Sequence, residues 1–150
     1  GVLTVTLTQG VCDDLIANNG LVITGDNFYL MKITIPVAET TLWAGEFVCS
    51  GWAGNQDLAW GGYDWSSMAS GSTLCFKYKK ITAGSWACIS LRHGDSWANL
   101  PDPIPGQYDL DSDEGVLEVK FPQNIIDDLV ANGGLVITGD NFILTKVSAK

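Results

Sequence analysis

Apolar and polar residues alternate in short runs along most of the chain, and Gly, Asn and Asp mark the breaks between runs. This period of two predicts strands over 2–7, 21–24, 28–35, 41–49, 73–79, 85–91, 116–121, 135–138 and 142–148. Two stretches follow a helical period instead. In 125–132, Ile125, Ile126, Leu129 and Val130 recur at helix spacing, after Pro122 and before the glycines of "NGG" (132–134). Residues 11–18 read the same way. Many short strands at this spacing predict an all-β fold, an antiparallel β-sandwich of the jelly-roll or galactose-binding-like kind, with one or two short helical turns. The runs 73–79 and 85–91 read as a hairpin turning through "ITAGS". Leu74, Phe76 and Tyr78, and on the return strand Ala87, Ile89 and Leu91, face the core. On the other face, Cys75 lies across from Cys88 and Lys77 from Trp86.

The pattern repeats. "LVITGDNF" occurs at 21–28 and again at 135–142, and at an offset of 114 the segments 1–36 and 115–150 are identical at 21 of 36 positions. "IPVAET" (35–40) carries the proline that separates the first copy from the rest of the chain. The expected organisation is therefore 1–35 as the duplicated C-terminal segment of an upstream module, 36–39 as a linker, and 40–150 as a complete module. The first copy carries apolar strands that need cover. Docking on a body of its own or of another chain is expected, and with it a domain-swapped or strand-paired homodimer.

Composition narrows the chemistry. A net charge of −9 with eight scattered basic residues excludes nucleic acid, whose phosphates nothing here would neutralise. No apolar run is long enough for a membrane-spanning helix, and no leader segment is visible. Four cysteines permit two bridges. However, Cys12 aligns with Ile126, which marks it as a small core thiol.

Catalysis finds little support. The one histidine, His93 in "SLRHGDSW", has no nucleophile motif with it. A module of this size also leaves little room for a glycosidase cleft between paired carboxylates. "DLDSDEG" (109–115) places Asp109, Asp111 and Asp113 at alternate positions, as a calcium loop does. The following glycine is one place late, though, and no glutamate closes the loop. A structural calcium ion is thus the only cofactor the sequence suggests, and none is required.

Six tryptophans in 150 residues are the stronger signal. "GWAGNQDLAWGGYDWSS" (51–67) holds Trp52, Trp60, Tyr63 and Trp65 among glycines, with Gln56 between them. "RHGDSWANLPD" (92–102) adds Trp97 beside Arg92 and Asn99, and Trp86 stands on the outer face of the expected hairpin. Flat rings with amide, guanidinium and carboxylate groups beside them suit the apolar faces and hydroxyls of sugar rings. Trp60, Trp86 and Trp97 rank first as carbohydrate-binding residues, then Trp52, Tyr63 and Trp65, with Gln56, Arg92 and Asn99 as polar partners. Trp43, in the alternating run "TLWAGEF", is read as structural.

"TTLWAGEF", the Trp-rich loop, "GSTLCFKY", "WACISL", "DSWANLP" and the closing "DDLVANGGLVITGDNFILTKV" occur in an order that resembles β-sandwich carbohydrate-binding modules attached to bacterial endoglucanases. The resemblance covers 40–150, and 1–35 as a second copy of the tail. It implies non-catalytic binding of β-linked plant cell-wall glucans (cellulose, mixed-linkage glucan or xyloglucan) through surface aromatics. It further implies an appended glycoside hydrolase catalytic domain as partner, and secretion or cell-surface display by a plant-polysaccharide-degrading bacterium. The alternative is a structural or adhesive β-sandwich repeat whose aromatics mediate protein contacts.

Overall fold

The computed structural model describes residues 39–150, together with Val5, Thr24 and Asp26. The strands expected at 2–7, 21–24 and 28–35, the turn at 11–18, Cys12 and most of the expected linker lie outside the described residues. The chain divides into two units, Gly1–Ile35 and Pro36–Lys150, and the fold described is that of the second.

Eight strands form it: β1 (Thr40–Cys49), β2 (Asn55–Ala59), β3 (Ser72–Lys80), β4 (Cys88–His93), β5 (Tyr108–Asp109), β6 (Glu114–Phe121), β7 (Gly134–Asp140) and β8 (Phe142–Ala149). A 3-10 turn (Trp65–Ser67) and one helix, α1 (Gln123–Ala131), complete the elements. The strands make two four-stranded antiparallel sheets, ordered β1-β8-β3-β6 and β2-β7-β4-β5. Successive strands alternate between the sheets except for β4 and β5, which are neighbours in one sheet; this jelly-roll order confirms the expected sandwich.

Alternation decides the core. Leu74, Phe76 and Tyr78 from one sheet meet Ala87, Ile89 and Leu91 from the other, joined by Leu135, Ile137, Phe142, Leu144 and Val147. Helix α1 closes one side with Ile125, Ile126 and Leu129, while Val130 points to solvent. The helix stops as the periodicity requires. Asn132 takes the C-cap and donates to Asp128 O at 3.0 Å. Gly133 and Gly134 then turn the chain at positive φ, where a Cβ would be strained.

Three expectations change. β3 and β4 are not a hairpin: β3 pairs with β6 and β8, and β4 with β5 and β7. Cys75 thus stands between Glu118 and Ser148, Cys88 between Asp109 and Asp140, and Lys77 between Val116 and Lys146, not opposite Trp86. The two apolar faces are the expected ones. They meet across the sandwich rather than side by side, a choice that alternation leaves open. Second, β2 lies inside the segment expected to be loop, because a register shift between Asn55 and Leu58 breaks its alternation. Third, the strand expected from 85 starts only at Cys88, leaving Trp86 on the approach to it.

Candidate functional site

Sheet β2-β7-β4-β5 has an outer face as well as a core face. Its outward residues are Val136 and Thr138 on β7 and Cys88 and Ser90 on β4, set by the pairs Ser90–Thr138 and Arg92–Val136. All four are nonetheless buried. Two loops cover them. The loop from β1 to β2 is tied to β7: Thr138 Oγ1 donates to Trp52 O (2.8 Å), and Gly51 N donates to Asp140 Oδ1 (2.7 Å). The chain from Trp97 to β5 covers β4. Ser90 Oγ donates to Gly106 O, Arg92 Nε donates to Ser90 Oγ (2.9 Å), and Arg92 Nη1 donates to Asn99 Oδ1.

These loops carry the tryptophans. Trp97 follows β4, yet its ring packs against Gly54, just before β2 on the far side of β7. A Cβ at Gly54 would lie 2.2 Å from the Trp97 ring, so only glycine lets the ring cross there. Trp52 sits two residues from that contact. Trp86 precedes β4. Its Nε1 donates to Asp109 Oδ1 (3.2 Å), its carbonyl accepts from Asn141 Nδ2 (2.8 Å), and Gln107 Nε2 also donates to Asp109 Oδ1 (3.0 Å). Trp60 follows β2, with its N–H on Gly133 O (2.9 Å) and its ring against Gly133. Their exposures are 43% for Trp52, 64% for Trp60, 53% for Trp86 and 39% for Trp97. Along β7, Trp60 stands at the Gly133 end, Trp97 and Trp52 flank the middle, and Trp86 adjoins Asn141.

Three of these four have left-handed backbones: φ is 65° at Trp52, 51° at Trp60 and 57° at Trp97. For a bulky residue this conformation is uncommon, and it costs about 1–2 kcal/mol each because Cβ crowds the carbonyl. None of the three belongs to the buried core, and Trp52 and Trp60 each share a turn with a positive-φ glycine, Gly51 and Gly61.

The remaining sequence candidates divide. Trp65 is only 4% exposed; its Nε1 donates to Leu58 O (2.9 Å) and its ring stacks on Phe121 at 6.3 Å. Tyr63 packs edge-on against Trp65 at 5.0 Å and is half-buried. Tyr63 and Trp65 line a shallow open depression of about 360 Å³ with Asp64, Leu129 and Gly133, next to Trp60. Gln56 stands exposed on β2. Trp43 is half-buried against the core and donates to Asp57 Oδ2 (2.6 Å).

The acidic loop does not assemble into a cage. Asp109 serves Trp86 and Gln107, while Asp113 Oδ1 accepts from Gly84 N (2.7 Å) and lies 3.9 Å from Lys80 Nζ. Among the described residues, no three His, Cys, Asp or Glu side chains converge as metal ligands would. The thiols Cys49, Cys75 and Cys88 are free and buried, and burial pushes Cys49 up to about 12 and raises the other two. They stay protonated and unreactive at neutral pH. His93 Nε2 meets Asp128 Oδ2 and ties the end of β4 to α1.

Sequence reasoning missed Thr138, Asp140, Gln107 and the tie from Asp109 to Trp86. Thr138 and Asp140 did carry a signal, because both lie inside the repeated "LVITGDNF". No helix among the described residues is long and apolar enough to cross a membrane.

No family model matches the chain, and no curated protein matches it in sequence. Among solved structures, the fold is similar to SGBP-B of the Bacteroides ovatus mixed-linkage glucan utilization locus, in complex with a mixed-linkage heptasaccharide. The TM-score is 0.55 at 20% identity, over 75% of this chain and 29% of that one. At that identity the likeness speaks for the fold, and this chain spans under a third of the neighbour's length.

Proposed function

We propose that residues 40–150 form a non-catalytic module that binds β-linked glucans on the loop-covered face of sheet β2-β7-β4-β5. The observation that carries this reading is the set of exposed tryptophans, three of them held on left-handed backbone. Strain at exposed aromatic residues points to a partner that uses the rings. An indole face offers stacking to the apolar face of a pyranose. Gln107, Asp109, Asn99 and Arg92 lie close by to bond hydroxyls.

The four rings follow β7, whose seven residues span ~23 Å at the usual rise of a strand. That length favours several consecutive sugars of an extended chain over a single terminal sugar. The fold neighbour's heptasaccharide makes mixed-linkage glucan the first ligand to try, with xyloglucan and cellulose after it. In this reading the module anchors an appended glycoside hydrolase to plant cell-wall polysaccharide outside the cell. The aspartates of 109–113 play no metal role in it.

Affinity electrophoresis in gels containing mixed-linkage glucan, xyloglucan or hydroxyethyl cellulose is the direct test. Retardation by at least one is expected, with oligosaccharide affinities of about −4 to −8 kcal/mol by calorimetry. Unretarded migration on all three, with no change in tryptophan fluorescence, rejects the reading.

A further inference from the structure

We propose that residues 1–35 are a second closing segment for the body of this same chain, able to take the place of 115–150 between β1–β5. The C-terminal copy supplies β6, α1, β7 and β8, and thereby an inner strand of each sheet. Without it β1 and β2 have no sheet partner at all.

The register at the sheet edge makes the first copy a candidate for the same role. β8 ends beside the start of β1, with Ala149 paired to Thr40. At the offset of 114, Ile35 corresponds to Ala149. Were 28–35 to occupy the β8 position, the chain would run into β1 through residues 36–39. Four residues are a common hairpin loop length. Proline at 36 fits such a turn, although it forgoes the N–H that Lys150 donates to Thr73 O.

Identity is kept where the site tolerates only one residue type. A Cβ at Gly139 would lie 2.0 Å from Cys88 O, and the first copy has Gly25 there. Asn141 has φ 60° and donates to Trp86 O, and its counterpart is Asn27. Asp140, which accepts from Gly51 N, corresponds to Asp26, and Asp128, which meets His93, to Asp14. A general preference for strand would not keep these. At buried positions the first copy's side chains do not match the cavity as well, being smaller at Leu7 for Phe121, Val11 for Ile125 and Cys12 for Ile126 and larger at Ile33 for Val147 and Thr34 for Ser148, so it is the weaker closer.

The test uses the full chain. Leu135→Asp with Ile137→Asp disables the C-terminal copy. The expected result is a monomer that keeps its near-ultraviolet circular dichroism and a cooperative thermal transition at lower temperature. Adding Leu21→Asp and Ile23→Asp should abolish both signals. Gly139→Val is a second route without buried charge: it should stay folded, and Gly25→Val/Gly139→Val should not. Cys12, at the place of buried Ile126, should be at least tenfold slower to alkylate in the Leu135→Asp/Ile137→Asp chain than in the chain with both copies altered. The inference is overturned if Leu135→Asp/Ile137→Asp or Gly139→Val unfolds as fully as its counterpart with both copies altered. It is overturned too if the folded variant sediments as a dimer, which is closure between chains, or if Cys12 stays fully reactive. All these readouts concern folding, so they are independent of glucan binding.

Discussion

The two sheets solve the same problem differently on their outer faces. The outer face of β1-β8-β3-β6 is mostly exposed, although Cys75 and Ser148 on it are buried. It presents Lys77, Lys79, Lys120 and Lys146 among Val48 and Val116, with Lys146–Glu39 and Lys150–Glu118 ion pairs at 2.9 and 2.6 Å. The outer face of β2-β7-β4-β5 buries Cys88, Ser90, Val136 and Thr138 under two loops. A bare face is kept soluble by its own side chains. A covered face passes that role to the loops, which are free to present rings at angles that a pleated strand does not allow. The exposed tryptophans are therefore all on segments flanking the covered sheet, and none is on a strand of the bare one.

The sharpest way to break this contrast is at the one indole of the Trp-rich segment that belongs to the core. Trp65→Ala should lower unfolding free energy by about 3–5 kcal/mol through lost packing on Phe121. Urea denaturation measures this, and a loss under about 1 kcal/mol would return Trp65 to the surface candidates. On the covered face the balance reverses. Trp97→Ala and Trp52→Ala should each weaken glucan binding about tenfold or more, about 1.4 kcal/mol, by calorimetry. Trp60 separates ring from backbone. Trp60→Gly and Trp60→Ala both remove the ring, but only alanine keeps a Cβ at φ 51°. The glycine variant should be the more stable by about 1 kcal/mol, with equal loss of binding.

Thr138→Val tests the cover itself. It removes the donor to Trp52 O and should cost about 1 kcal/mol of stability, with a few-fold loss of affinity as the loop loosens. The smallest effects belong to the bare face. Lys77→Ala should leave glucan affinity unchanged within error. Glu39 sits there too, its carboxyl held below the ordinary 4.5 by hydrogen bonds from Ser148 and Lys146. A lowered native value means that the unfolded chain binds the proton first. The contribution is then present above the ordinary value and lost as pH falls through the native one. The small stability gap between wild type and Glu39→Gln should close on acidification from about pH 6 to about pH 3, as followed by urea midpoints.

Legibility in the sequence tracked the range of the interactions. The faces of β3 and β4 and the positions of β6 and β8 could be read because alternation is local, and so could α1 with its proline entry and glycine exit. β2 could not, because its register shift cancels the period that would announce it. The aspartates at 109–113 were read by their spacing alone, which says nothing of the groups that Asp109 and Asp113 meet. Their partners, Trp86, Gly84 and Lys80, come from elsewhere in the chain.

By itself the sequence determined which side of β3 and of β4 is apolar, that the fold is all-β, and that the closing segment occurs twice. The physical reason is that pleat and helical period are properties of neighbouring residues. Only the tertiary structure decided that β3 and β4 belong to opposite sheets. It also decided that Trp65 is core while Trp60, five residues earlier, is 64% exposed. An indole is apolar enough for a core and flat enough for a surface. Its fate rests on whether a distant segment, here Phe121 on β6 or Gly133 after α1, comes to lie against one face or both.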